Sequence, residues 1–315
     1  MGVRLVAIPP GLCYVLGRIA QLVPTLVGVT LFAFIVIRLS GDPTSVLLPA
    51  DASAAEREAF RRAYGLDRPL LEQYVRYVGR LAHGDFGVSL FQGEPALRLV
   101  LGRLTATAEL AATAIGMVVL VGIPAGILAA VCRGTIVDHV TLTLVALGQS
   151  VATFWLGLML ILVFAVAWRL VPPSGYGSAA QIVLPAFTLA AYYLAVAARL
   201  TRSGLLEVLA QDYIRTARAK GLAEWLTVLR HGLRNAVIPI LTVLGIQIGE
   251  LLAGSVVTET VFAWPGVGTL VLDAILRRDY PLVQAVIVVL AVIYAVLNLA
   301  VDLCYAWVDP RVRYR

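Results

Sequence analysis

Six stretches of this chain, at about 19 to 39, 106 to 132, 140 to 167, 182 to 202, 236 to 258 and 282 to 306, are apolar over the length a helix needs to cross a bilayer. A hydrocarbon core takes about 20 such residues per helix, and within lipid every backbone N–H and C=O must find its partner inside the protein. Six segments of this kind define an all-α integral membrane protein with six transmembrane helices. Only 14% of the residues are charged, against about 25% in a soluble domain. The net charge of +6 does not point to nucleic acid, because the basic residues are spread between apolar runs and form no basic face with interleaved aromatics. The first segment reads as an uncleaved helix, since its core is too long for a signal peptide and no small-residue cleavage site follows it directly. Cys13, Cys132 and Cys304 lie far apart, form no paired framework and read as small hydrophobes.

Orientation follows from the short connections. Between the fourth and fifth spans stand Arg202, Arg215, Arg218, Lys220, Arg230 and Arg234 against Glu207, Asp212 and Glu224, which makes that side cytoplasmic. Both termini, with Arg4, Arg18, Arg311, Arg313 and Arg315, then share it. The loop after span five, with Glu259, Asp273 and Asp279 beside Arg277 and Arg278, is placed outside. The connection from 41 to 105 is expected to be an external helical subdomain. Its stretches SAAEREAFRRAYGL and PLLEQYVRYVGRLAHG read as two amphipathic helices, separated by a turn at Asp67-Arg68-Pro69, that lie on the membrane or contact a partner. The resulting division is residues 1–40 with the first span, 41–105 external, 106–306 as the membrane core with a loop at 203–235, and a cytoplasmic tail at 307–315.

Within the spans, Gly122 and Gly126, and Gly245, Gly249 and Ala253, put small residues four apart, which lets helix backbones approach closely inside one bundle. Pro124 and Pro185 are expected to kink or start helices. A charge at mid-bilayer costs about 2.5 to 3.5 kcal/mol even on the mildest scale, so Glu250, about fourteen residues into span five, stands out. Gln247 is one turn before it, and the two could share a water-filled path; a hydrogen bond to a neighbouring helix explains them equally well. Gln149 is a third candidate for such a path. Glu109 and Asp302 fall near span ends, where an interfacial position suffices. No GxxxxGK[ST] phosphate cradle occurs, and the one lysine, Lys220, is followed by glycine and leucine. Any ATP used belongs to another chain.

The segment DYIRTARAKGLAEWLTVLRHGLRN, residues 212 to 235, is compact, basic and glycine-punctuated. Asp212 is placed as the N-cap of a short helix, with Tyr213, Thr216, Ala217 and Lys220 on one face and Gly221 as the residue that stops it. Trp225, Leu229 and Leu233 form the stripe of a second helix leading into span five. A helix of this kind, joined to spans on both sides, can pass the movement of a bound partner into the bundle.

RTARAKG, residues 215 to 221, resembles the EAA loop of ABC importer permeases, with Arg215, Thr216 and Ala217 in the places of Glu, Ala and Ala, and Gly221 as the motif's glycine. DYIRTARAKGL with LRHGLRNAVIP is similar to the form of the dipeptide, oligopeptide and nickel permease subfamily. GDP at 41 to 43, YGLDRPLLEQYVRYV at 64 to 78, GDFGVSL at 84 to 90, VVTETVFAWPGVG at 256 to 268 and VDLCYAWVDPRVRY at 301 to 314 resemble its other landmarks, in order. Relatives often carry a proline in span three where this chain has Ala152, so no residue here enforces a kink. The initial Glu of the general motif is Arg215, so contacts of Glu-bearing relatives do not carry over.

The resemblance implies the type I ABC importer permease fold in a bacterial inner membrane. It implies a non-catalytic pore subunit that pairs with a homologous permease and meets ATPase subunits through Asp212, Tyr213, Arg215, Thr216, Ala217, Lys220, Gly221 and Leu222. An external solute-binding protein would deliver dipeptides or oligopeptides. No cofactor is expected in this chain; ATP and Mg would be held by the partner ATPases. Nickel or another small solute is the alternative cargo, and a secondary carrier using Glu250 is the rival mechanism.

Overall fold

The computed structural model describes residues 10–39, 52–63 and 67–308, with positions 48 and 65 between them; at 10–20, 36–39, 63, 238, 253–254 and 302–308 the backbone alone is described. The GDP landmark at 41 to 43, the side chains of Cys13, Cys304, Asp302 and Ala253, and the tail after Val308 therefore lie outside the described side chains. Among the described residues there is no strand. The helices are α1 (Pro10–Leu39), α2 (Ala54–Ala63), α3 (Leu70–Ala82), α4 (Ala96–Val131), α5 (Ile136–Ser150), α6 (Thr153–Ala167), α7 (Ala179–Leu209), α8 (Asp212–Ala219), α9 (Arg234–Val261), α10 (Val267–Leu276) and α11 (Tyr280–Val308). Close contacts divide the chain into two compact units, residues up to 105 with 269–299, and 106–268 with the residues from 300 on.

Three helices, α4, α7 and the part of α11 from Tyr280 to Val301, are long and apolar enough to cross a membrane uninterrupted. They match the second, fourth and sixth predicted spans. The first predicted span falls in α1 and the fifth in α9, which contains Pro239.

The third predicted span is not one rod: α5 and α6 meet at 109°. The break is at Val151 (φ −87°, ψ 129°) and Ala152 (φ −63°, ψ 132°), so the bend occurs without the proline that sequence reasoning looks for. Packing holds it instead. A Cβ on Gly157 of α6 would come within 3.1 Å of Phe262 and 3.2 Å of Val261, so the turned α6 is seated closely against the end of α9. Ala152 already has the φ of proline, and Val151 has the extended conformation that a residue before proline requires. Ala152→Pro is therefore expected to preserve the fold and raise stability by about 0.4–1 kcal/mol, measured as a higher melting temperature of the purified protein. A drop of several degrees would show that the Ala152 N–H is needed.

In the first unit, α3 is held against α1. Tyr74 Oη donates to the Val27 carbonyl at 3.2 Å and lies 3.1 Å from Thr30 Oγ1, while the Phe34 ring meets Tyr74 edge-on at 5.5 Å and stacks on Tyr77 at 6.2 Å. The amphipathic face expected to lie on the membrane or meet a partner is thus partly spent on the first span. On its other side Arg68 hydrogen-bonds Glu72 at 2.6 Å and holds that carboxyl below the usual carboxylate range. Asp279 is buried at the start of α11; it accepts from Ser89 Oγ at 2.5 Å and from the Leu90 N–H at 3.2 Å, tying the GDFGVSL landmark to that helix end.

The second unit is organised around α7, whose alanines 186, 190, 195, 197 and 198 are buried. Small side chains there let neighbours approach to backbone contact. A Cβ on Gly126 would meet the Ala198 carbonyl at 2.5 Å, and one on Gly122 the Leu194 carbonyl at 3.0 Å, so this glycine pair serves packing within one bundle. Pro124 does not break α4. The helix widens into a π-helical turn over Val118–Gly122 just before it, which accommodates the missing N–H and the ring. At the start of α7, Gln181 reaches back to the Ser178 N–H at 3.0 Å.

Candidate functional site

α8 spans eight residues, and its two sides differ in kind. Ile214, with no exposed surface, and Ala217, 8% exposed, face inward three residues apart, while Asp212, Tyr213, Arg215, Thr216, Ala219 and Lys220 are exposed. At 100° per residue the outermost ridge is Asp212, Arg215, Thr216 and Ala219. The predicted stripe of Tyr213, Thr216, Ala217 and Lys220 is therefore corrected: Ala217 belongs to the inward side, and Ala219, which the stripe omitted, is open.

The helix begins at Gln211, which occupies the N-cap in an extended conformation, so Asp212 is the first helical residue and does not cap it. Its carboxylate still sits at the positive end of the helix dipole, 3.5 Å from Arg215 Nη1. At the other end Lys220 is the C-cap and Gly221 has φ +79°. The Gly221 N–H donates to the Arg218 carbonyl at 2.9 Å and the Leu222 N–H to the Ala217 carbonyl at 3.4 Å. That pair of bonds is a Schellman motif, and its left-handed residue is the position where glycine costs nothing. Arg218 then spans the turn to Glu224 through two bonds, Nη2 at 2.5 Å and Nε at 3.1 Å.

Two further contacts fasten α8 to the bundle. Asn235 Nδ2, at the start of α9, donates to Tyr213 Oη at 2.7 Å. The segment between them, Thr227–Leu233, winds as a π-helix and buries Thr227, Val228 and Gly232. Val228 packs with Ala130 and Leu205, and a Cβ on Gly232 would lie 2.9 Å from Leu205. The expected stripe of Trp225, Leu229 and Leu233 assumed 3.6 residues per turn; the wider turn brings 227 and 232 into line, leaving Trp225 and Leu229 exposed. Ile214, Val228, Gly232 and Asn235 went unselected in the sequence. The LRHGLRN landmark was the available signal.

The polar candidates of the spans are not brought to one surface. Glu250 is exposed on α9, whereas Gln247 is turned inward, 2% exposed, with Nε2 donating to the Tyr193 carbonyl at 3.4 Å. Gln149 on α5 accepts from Arg199 of α7. Glu109 accepts from Tyr176 Oη at 2.9 Å. The same helix pair α5 and α7 is joined by Asp138, buried, and Arg202, whose Nε and Nη2 meet the two carboxylate oxygens at 2.7 and 2.8 Å.

Glu259, read from sequence as part of an outer loop, lies inside α9 with no exposed surface. Its Oε1 accepts from Thr107 and Ser255, each at 2.8 Å, and Thr107 Oγ1 in turn accepts from the Val267 N–H at 2.8 Å. Gly266 and Gly268 lie directly against the carboxyl group: a Cβ on either would sit 2.3 to 2.7 Å from it. Trp264 Nε1 closes the turn on the Ala106 carbonyl at 2.8 Å. The VVTETVFAWPGVG landmark is thus one buried polar knot, legible in retrospect from a glutamate followed by glycines seven and nine residues on.

The fold is that of an all-α membrane protein in which long apolar helices stand beside bent ones, with a short glycine-capped helix between α7 and α9. The chain belongs to the family described as binding-protein-dependent transport system inner membrane component, which it matches over residues 122–314. It is 40% identical to the dipeptide transport system permease protein DppB of Escherichia coli K12, over 96% of this chain and 99% of that protein. It is 41% identical, with the same coverage, to the glutathione transport system permease protein GsiC of the same strain. Among solved structures, the methionine ABC transporter MetNI in an inward-facing form has a chain of similar fold, with TM-score 0.55 and 20% identity over 69% of this chain and 99% of that one. This protein is accordingly a multi-pass inner-membrane permease subunit of an ABC importer, with ATP hydrolysis carried out by a separate subunit.

Proposed function

We propose that this chain forms one half of a pore that imports short peptides. The observation that carries this reading is the near full-length likeness to two permeases whose names specify dipeptide and glutathione transport. In this reading a second, homologous permease completes the pore and an external binding protein delivers the peptide. The ATPases, which hold ATP and Mg, dock on the outer ridge of α8 at Asp212, Arg215 and Thr216, flanked by Tyr213 and Lys220. Gly221, Leu222 and Ala217 hold that helix in its presented form. Both termini and residues 203–235 face the cytoplasm, as the arginine and lysine distribution supports.

Glu250, on the open side of α9, is assigned to the solute path; Gln247 is turned inward onto the Tyr193 carbonyl, and Gln149 with Arg199 provides a second polar position. The test is uptake by proteoliposomes containing this permease, its partner permease, the ATPases and the binding protein. ATP-dependent accumulation of a labelled dipeptide is expected, with an impermeant maleimide reacting with Lys220→Cys only from the ATPase side. Glu250→Leu should lower uptake several-fold with thermal stability unchanged, because the carboxylate is exposed on α9 and its loss strands no buried partner. Saturable nickel uptake without peptide uptake would overturn the assignment.

A further inference from the structure

We propose that the cleft between α1, α3 and the start of α11 in the first unit is a binding site for the phosphate group of an anionic membrane phospholipid. The cleft has a volume of about 690 Å³ and is lined by Arg62, Arg68, Arg76 and Arg80, with Phe34 and Tyr77 among its apolar walls. Asp85 is the one acidic residue of the lining. It already accepts from the Gly87 N–H at 2.9 Å.

The guanidinium donors are in excess of the carboxylates that pair with them among the described residues. Arg68 and Arg76 share one carboxylate, Glu72, at 2.6 and 3.1 Å, and Arg62 meets Glu58 at 3.3 Å. Each guanidinium carries five N–H groups, so these pairs use only a part of their donors among the described residues. Arg80 makes no ion pair among the described residues. Independently, Tyr77 is 7% exposed and its hydroxyl has no hydrogen-bond partner among the described residues, an arrangement that normally costs stability unless an acceptor arrives. Burial raises the pKa of this phenol, so it remains a neutral O–H donor.

Position selects the source of the phosphate. Phe34 is five residues, about 7.5 Å along the helix axis, inside the end of the first predicted span, and Gln284, also in the lining, is two residues inside the start of the sixth. The cleft therefore opens at headgroup depth. Beside it α1 exposes Val27, Leu31, Phe32 and Ile35, an apolar strip on which an acyl chain can lie. Planar guanidinium forks suit a phosphodiester, and an acyl chain in contact with that strip adds apolar burial that inorganic phosphate lacks.

The test is native mass spectrometry of the detergent-solubilised transport complex titrated with phosphatidylglycerol or phosphatidylcholine. Retention of phosphatidylglycerol over phosphatidylcholine is expected, with apparent affinity lowered at least about tenfold by Arg76→Gln combined with Arg80→Gln. Arg98→Gln, an equal charge change outside the lining, should leave it unaltered. Tyr77→Phe, which conserves the ring stack, should lower affinity by a smaller factor and keeps the proposal testable if the double variant fails to fold. Equal binding of the two lipids, an equal loss in Arg98→Gln, or displacement by millimolar inorganic phosphate alone would overturn the proposal. So would unchanged lipid retention in the double variant accompanied by weakened docking of the binding protein.

Discussion

Gly266→Ala is expected to yield little folded protein. The new Cβ would lie 2.3 Å from Glu259 Cδ and Oε1 and 2.4 Å from Oε2, far inside contact distance. The carboxyl cannot swing aside cheaply, because Thr107 and Ser255 both donate to it in a region without solvent access, and stranding each donor costs about 1–3 kcal/mol. Overpacking adds about 1–3 kcal/mol, so the sum takes a large share of a typical 5–15 kcal/mol stability. Fluorescence-detected size exclusion with a thermal ramp should show either no monodisperse peak or a melting temperature lower by about 10 °C. Glu259→Ala in the same chain should recover part of the loss, since it removes the group that the methyl strikes, and the two changes should be strongly non-additive. A Gly266→Ala protein that melts like the parent would remove the knot from any account of this fold.

Gly221→Val is expected to abolish uptake while leaving the spans folded. No atom lies within 4 Å of the position a Cβ would take, so the effect is conformational and arises from φ +79° alone. Left-handed geometry costs an ordinary residue about 1–2 kcal/mol, and a β-branched one more. The turn would be expected to relax at the expense of both Schellman bonds and of the aim that Arg218 and Glu224 give to α8. The informative series is Asn, Ala, Val at this position: asparagine tolerates the conformation and should transport nearly normally, alanine less, valine least. Co-purification of the ATPase should fall in the same order, with melting temperatures within a few degrees of one another. Valine that binds ATPase and transports normally would separate α8 from the motor.

Apolar length alone made the second, fourth and sixth spans and the all-α membrane class legible, since lipid leaves a helix few alternatives. Gly221 was legible because a glycine after a short amphipathic run has one common use. What escaped was set by tertiary packing. The bend at Ala152 has no residue that demands it, and Gly157 against Phe262 acts over about a hundred positions of sequence. Thr227–Leu233 was misread because a π-helical turn alters the period on which any stripe depends. Glu259 was misplaced because a carboxylate just past an apolar run looks like a loop residue until Thr107, 152 positions away, is seen to hold it.

The two sides of α8 also have different histories open to them. Ile214 and Ala217 answer to the bundle and Gly221 to the turn, so drift at those positions is checked by folding. Asp212, Arg215, Thr216 and Ala219 have no such tie to the bundle, and under the docking proposed above they answer to the motor. On that proposal, a cell with several importers of this family would keep each motor faithful to its own pore by altering a four-residue address, without disturbing the architecture that holds it.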